Sequence, residues 1–444
     1  MKVVIIGGNA AGMSAASRLV RKSRDVQAIV FEKTRIVSYG ACGLPYFIAG
    51  FNDNPDLMIV RQPEAFIKAG VDLRLEHEVL AVNPAEKTLL VRDLALGTEF
   101  VQPYDKLLAA SGASPLIPSL EGRDLANVFS LKTIEDGRRI RKALLSDEVK
   151  NVAIIGGGYI GLELAEAVIL RKKQLRIFEG LDRVLNVFDP EFGAAVEKTL
   201  AARGASVHTG ESAVRLEGRD GKVQRIITTK GEYDADLIIF SIGVRPNTGM
   251  FPQDSVARLP NGAIITTPAM QSSMPDIYAA GDCATVTHAL LQKPAYLPLG
   301  TNANKQGRLV ADSILGLPVK LDRTLGTSML RCLDLELAKT GLSEKEALDA
   351  GLNFSTVTVN APAHAPYYPP NPSLTVKLIY EKDSKVLLGA QLMGAKECAL
   401  RVNFLALAID QGMTAEELGF ADLAYAPPFS YVWDAVQIAA NAAK

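Results

Sequence analysis

After Met1-Lys2 the chain runs through four consecutive apolar β-branched residues, "VVII", and breaks into Gly7 and Gly8. A run of that kind bounded by glycine predicts a buried strand, and the small and apolar positions of "AAGMSAASRLV" predict a helix packed closely at its start. The segment "AIVFEK" then returns to a strand that ends in Glu32. The same order recurs about 150 residues on, where "NVAIIGGGYIGLELAEAV" leads to "LRIFEG" and Glu179. Two copies of one pattern predict two βαβ nucleotide-binding units.

Between the copies, "YDKLLAASGASPLIP" is an apolar strand broken by Gly112, Pro115 and Pro118, which predicts a crossing between domains. A similar crossing follows "DLIIFSIGVRPNT", and "DIYAAGDCATV" reads as another strand, ending in Gly-Asp. From about residue 325 the pattern is mixed: alternation in "LTVKLIY", a helix in "CALRVNFLALAIDQ", and the proline-rich "APAHAPYYPPNPS". The expected fold is α/β, with two Rossmann-like dinucleotide-binding domains and a C-terminal α+β dimerisation domain. The expected boundaries are 1–115 with 245–322 for a discontinuous first domain, 116–244 for the second and 325–444 for the third.

A chain of 444 residues, 48% hydrophobic, can fill cores of that number. Its 48 Lys and Arg against 49 Asp and Glu leave a net charge of -1, with no general attraction to nucleic acid or anionic membrane. No signal-peptide pattern opens the sequence, and no apolar run reaches the roughly 18 to 20 residues of a bilayer span. A cytoplasmic protein with no membrane and no nucleic-acid partner is expected. Cys42, Cys283, Cys332 and Cys398 lie far apart and form neither a disulfide framework nor metal spacing, nor do His77, His208, His288 and His364. No metal site is expected.

In the second copy Gly156, Gly158 and Gly161 complete a G-x-G-x-x-G fingerprint. Its glycines let the backbone approach a pyrophosphate at the helix N-terminus, and Glu179 stands where an acid accepts ribose hydroxyls. Glu179 also repels a 2'-phosphate, so NADH is favoured over NADPH. The first copy keeps Gly7 and Gly12 but has Asn9 in the middle, with Glu32 placed for a second ribose. Asn tolerates a left-handed backbone, which would let the turn survive. A single thiol, Cys42, sits between the two sites in "SYGACGLPYFIAG", and the position five along, where a second cysteine would resolve a disulfide, is Phe47.

These fingerprints, with "ASGASP", "IGVRPNT" and "IYAAGDCA", resemble the flavin- and pyridine-nucleotide-dependent disulfide reductases over essentially the whole chain. The resemblance implies FAD held by Gly7, Asn9, Ala11, Gly12, Glu32, Lys33, Gly281 and Asp282. It implies NADH, or NADPH, on Gly156, Gly158, Tyr159, Ile160, Gly161, Glu163 and Glu179, with Tyr159 covering the nicotinamide pocket and Glu163 close to its contact with the flavin. The turn at Cys42 is similar to the single-cysteine branch of coenzyme A disulfide reductases, coenzyme A persulfide reductases and NADH oxidases. "HAPYYPP" and "DLAYAPPFS" look like the first two of these. By that likeness Tyr425 and Tyr367, or its neighbour Tyr368, reach the thiol from the partner subunit of a homodimer.

A lone thiol suffices if the substrate brings the second sulfur. Coenzyme A disulfide would leave Cys42-S-S-CoA, two electrons from reduced flavin would split it, and Tyr425 would protonate the departing thiolate. The reaction needs Cys42 as a thiolate, which a helix starting nearby and a flavin beside it would favour. Coenzyme A phosphates would need cations, with Arg18, Arg21 and Lys68 as candidates, and with Ser38, Tyr39, Asn304 and Arg308 beside them. The alternative is an NADH oxidase in which Cys42 cycles through a sulfenic acid. A histidine typical of the oxidases beside the flavin is replaced by Ala10. Two further alternatives are a redox-sensing flavoprotein and a reductase of a ferredoxin-like partner.

Overall fold

In the computed structural model, residues 1–319, 323–395 and 398–444 are described; the expected boundary at 322 lies outside them. Five parallel strands form the first sheet, in the order Ile277–Ala279, Lys106–Ala109, Lys2–Ile6, Gln27–Glu32, Asp72–Leu75. A second parallel sheet runs Ser206–Thr209, Gln174–Glu179, Asn151–Ile155, Leu237–Phe240, Val128–Ser130. Their central strands are buried on both faces, which is why they read as unbroken apolar runs. Each sheet is accompanied by a three-stranded antiparallel meander, over 77–103 in the first case and 213–234 in the second.

The helix Ala10–Lys22 buries Ala11, Met13, Ala15, Ala16 and Leu19 and leaves its charged residues outside. Its small residues let the helix Gly300–Ile314 approach so closely that a Cβ on Gly307 would collide with the Ala11 carbonyl. The crossings predicted at 112–118 and 240–247 pair with each other, as Ala113–Pro115 against Val244–Pro246 in antiparallel register. The C-terminal region is a five-stranded antiparallel sheet, ordered 328–332, 335–341, 387–394, 373–381, 354–362, covered by the helices Val402–Asp410 and Ala435–Asn441. The fold is therefore α/β, with two Rossmann-like parallel sheets and a C-terminal antiparallel domain.

One element leaves its own sheet. Leu44, Phe47 and Ile48, on the short helix that follows Cys42, join the core of the second unit with Ile134, Ile140, Leu162 and Val168. A side chain on Gly137 would already press on Leu44 at 3.1 Å, so the packing there is close. Among the described residues, no helix is long and apolar enough to cross a membrane.

Candidate active site

The two glycine loops superpose in their chemistry. Gly7 and Gly156 have φ of 106° and 109°, a left-handed region that suits glycine, and each N–H donates to the end of the next strand, Phe31 O and Phe178 O, at 2.8 Å. A Cβ on Gly12 or Gly161 would strike the carbonyl of Gly7 or Gly156. The two acids behave alike: Glu32 accepts from Gly8 N–H at 2.7 Å, and Glu179 from Gly157 N–H at 2.8 Å.

The middle position separates them. Gly158 has nothing within 4 Å of where a Cβ would stand, so a ligand backbone can come close. Asn9 has φ of -110°, outside the left-handed region, which corrects the expected reason for its presence. Its side chain matters instead: Asn9 Oδ1 accepts from Tyr39 N–H at 3.1 Å, and Ser38 N–H donates to Gly8 O at 3.0 Å. The first loop thereby holds the cysteine turn, a link that sequence spacing does not reveal.

Cys42 is exposed and stands in a single 3-10 turn, Ala41–Gly43, ahead of the six-residue helix Leu44–Ala49. The chain's own groups do not favour its thiolate as expected. Surrounding protein mass raises its pKa first, then Glu163 and Asp282, while Lys132 pulls it down. The helix begins two residues past the thiol, and the carboxylates of Glu163 and Asp282 act on it more strongly than Lys132 does. Lys132, 3.5 Å from Asp282, is a cation that favours the thiolate, and sequence reading missed it because nothing in its local context marks it. The other three cysteines are buried, and burial pushes Cys332 and Cys398 up to about 12.

Glu163 lies on the helix Tyr159–Leu170, and burial together with nearby Glu166 pushes it up to about 7. Tyr46 of the cysteine helix acts in the opposite sense and holds that rise back. Tyr159 donates to or accepts from Ser328 of the C-terminal sheet at 2.7 Å, which ties that helix to the third domain. Ile160 is partly exposed at the start of the helix, and Lys33 is exposed beside Glu32. Gly281, with φ of 77°, donates to Gln306 at 2.8 Å and lies against Ala11.

A groove of about 470 Å³ opens beside the cysteine turn, and its wall includes Arg21, Ser38, Tyr39, Asn304 and Arg308. Two expected residues are elsewhere. Arg18 is held by Asp312 through two hydrogen bonds, at 2.8 and 2.5 Å, and Lys68 does not line the groove. Arg61, unnoticed in the sequence, lines it instead and lies over the Phe66 ring at 4.3 Å. On the C-terminal domain the hydroxyls of Tyr367 and Tyr425 meet at 2.6 Å, while Tyr368 packs edge-on against His364. Among the described residues no hydrogen bond or ring contact joins that pair to the cysteine turn of the same chain.

Residues 1–307 match the family model described as pyridine nucleotide-disulphide oxidoreductase, and residues 330–435 match its dimerisation domain. The chain belongs to this family. It is 40% identical to an NAD(P)H sulfur oxidoreductase (CoA-dependent) of Pyrococcus furiosus, over 100% of this chain and 99% of that one. An NAD-dependent persulfide reductase from A. fulgidus superposes with a TM-score of 0.94 at 35% identity, covering 99% of this chain and 82% of the other. A water-forming NADH oxidase from Lactobacillus brevis superposes at 0.96 and 32% identity, covering 100% and 98%.

The protein is thus an NAD(P)H-dependent flavoprotein oxidoreductase. The residues present fit two nucleotides, because each loop turns through a left-handed glycine, Gly7 or Gly156, into a helix N-terminus, and at Gly158 a side chain would fill open space above the loop. When bound, FAD supplies the passage of the two electrons of a nicotinamide hydride to an acceptor. A dimerisation domain is present.

Proposed function

We propose that the enzyme reduces coenzyme A persulfide or coenzyme A disulfide through a mixed disulfide on Cys42. The observation that supports this reading is the groove, whose wall includes Ser38, Tyr39 and Gly40, just ahead of the exposed Cys42 in the chain, together with three arginines, Arg21, Arg61 and Arg308. Coenzyme A carries a diphosphate and a 3'-phosphate, and guanidinium groups suit such anions. The naming of the Pyrococcus and A. fulgidus relatives supports the same choice.

With the persulfide, Cys42 thiolate attacks the sulfur attached to coenzyme A, forming Cys42-S-S-CoA and releasing hydrosulfide. With the disulfide the leaving group is one coenzyme A thiolate. Two electrons originating in NADH or NADPH then divide the mixed disulfide into Cys42 thiolate and coenzyme A thiolate, which takes a proton. A backbone hydrogen bond at Cys42 and then Lys132 are the chain's own support for negative charge on Cys42. FAD would rest on Gly7, Asn9, Ala11, Gly12, Glu32, Lys33, Gly281 and Asp282. The nicotinamide nucleotide would rest on Gly156, Gly158, Tyr159, Ile160, Gly161, Glu163 and Glu179, with Glu179 favouring NADH.

The active unit is a homodimer in which Tyr367 and Tyr425 of the second copy complete the site. Tyr425 shares a hydrogen bond with Tyr367 in which either hydroxyl can be the donor, and that bond raises its pKa; as a phenol it keeps its proton through neutral pH and would give it to the departing thiolate. Phe420 and Phe429, exposed on the same domain within five residues of Tyr425 in sequence, would supply an apolar face for the second copy. The domains divide as 1–115 with 245–322, 116–244, and 325–444.

Oxygen is the second acceptor to weigh, because the water-forming oxidase superposes as well as the persulfide reductase. Anaerobic NADH oxidation with coenzyme A persulfide, then with coenzyme A disulfide, decides between them. Saturable turnover with either supports the proposal. Turnover with oxygen alone removes it in favour of a Cys42 sulfenic acid cycle.

A further inference from the structure

The helix that follows Cys42 has six residues, too few to be stable alone, and its last carbonyls have no partners within it; Tyr46 O and Phe47 O accept from the cap Gly50 N–H at 3.1 Å. Two arginines of the second unit meet that end. Arg141, from the helix Ile134–Leu144, donates through Nη1 to Phe47 O at 3.2 Å and to Asn52 O at 2.8 Å, and also reaches Asp53. Its guanidinium lies 4.7 Å from the centre of the Phe47 ring, and its side chain is only 15% exposed. Arg171, which ends the helix Tyr159–Leu170, brings Nη2 to Ile48 O at 3.4 Å, and a Cβ on Gly50 would collide with it. Phe47 occupies the place where a second cysteine would stand, and here it is packing for a cation.

We infer that Arg141 and Arg171 are positioning residues for Cys42, gripping the cysteine helix by its C-terminal carbonyls and fixing it to the nicotinamide-binding unit. A cation at a helix C-terminus is favourable, and two donors from separate helices define an orientation that apolar packing alone leaves free to slide. The contacts fall on backbone carbonyls, so they set the place of the helix and not the identity of its residues. Neither arginine is among the charges that act on Cys42, so a change in thiol acidity on their removal reports movement of the thiol relative to Glu163 and Asp282.

The inference rests on Cys42 being the working thiol, and the test separates it from the choice of acceptor. In the holoenzyme, the pH midpoint of Cys42 alkylation by iodoacetamide is measured for the Arg141→Met Arg171→Met double variant. Turnover with coenzyme A persulfide is measured beside it, as is NADH-dependent ferricyanide reduction, which takes electrons from the flavin without the thiol. A loosened helix frees Cys42 from crowding and from the two carboxylates. The midpoint should therefore fall by about half a pH unit or more. Persulfide turnover should fall by about tenfold while ferricyanide reduction stays within about twofold.

An unchanged midpoint overturns the inference, as do equal losses in both activities. Arg141→Lys keeps the charge but loses the planar guanidinium that lies over the Phe47 ring and reaches Asp53 through Nη2 while Nη1 serves the two carbonyls. If the double variant does not fold, Arg141→Lys decides: an intermediate downward shift supports positioning and no shift overturns it. A wild-type enzyme that reduced no coenzyme A species would defeat the proposed function and leave the alkylation midpoint to decide this point.

Discussion

The two glycine loops begin from nearly the same local sequence and reach nearly the same backbone, yet the chain uses them differently. Gly7 and Gly156 share their left-handed turn, and Glu32 and Glu179 share their hydrogen bond to the next amide. The loops differ at the position between. Gly158 leaves open space, whereas Asn9 reaches out and holds Tyr39 N–H. One loop is left open at that position, and the other is tied to the turn that leads to the thiol. The lesson is that a departure from a fingerprint can be a connection and need not be decay.

Four substitutions would break or sharpen that contrast. Cys42→Ser should lower reduction of coenzyme A persulfide by at least about a thousandfold while ferricyanide reduction continues, because only the first loop's side of the molecule needs the thiol. Equal loss of both activities would dissolve the division of labour. Gly158→Val places its side chain in open space, so thermal stability should hold while the KM for NADH rises about ten- to a hundredfold. A fall in melting temperature with unchanged KM would deny the cradle.

Glu163→Gln removes a negative charge that raises the Cys42 pKa, so the alkylation midpoint should move to lower pH by about half a unit. Because Glu163 itself is pushed up to about 7, the wild-type and variant profiles should differ most above pH 7, where Glu163 is ionised, and converge below it. A shift to higher pH would contradict the sign. Asn9→Gly should have the smallest effect: about 1 kcal/mol of stability and a few-fold slower persulfide turnover, with NADH affinity unchanged. An altered NADH KM would place Asn9 on the wrong side of the comparison.

Much was legible in the chain because it rests on local rules. The β-branched runs before Gly7 and Gly156 predict parallel strands, and those strands pair in the first and second sheets. The glycine spacing predicts the tight turns, since only glycine suits the φ of 106° and 109° found there. The lone Cys42 among glycines and a proline already marked a shaped turn. The C-terminal alternation in "LTVKLIY" predicts a strand, and it forms one within Ser373–Glu381.

What failed to show in the sequence depends on partners far along the chain. Asn9 looked like a tolerated backbone exception until folding set it against Tyr39, 30 residues away. Arg18 looked free until Asp312, 294 residues on, claimed it, and Arg61 had no mark until the fold placed it in the groove. The acidity of Cys42 followed the same rule. Its local helix and turn suggested an anion, but the protein mass around this surface thiol and the carboxylates of Glu163 and Asp282, brought from two other elements, raise its pKa. Backbone conformation is decided within a few residues, so the sequence determined strands, turns and glycines. Electrostatics and side-chain pairing act through space, so only the tertiary structure decided which charges met the thiol and which were already spent on each other.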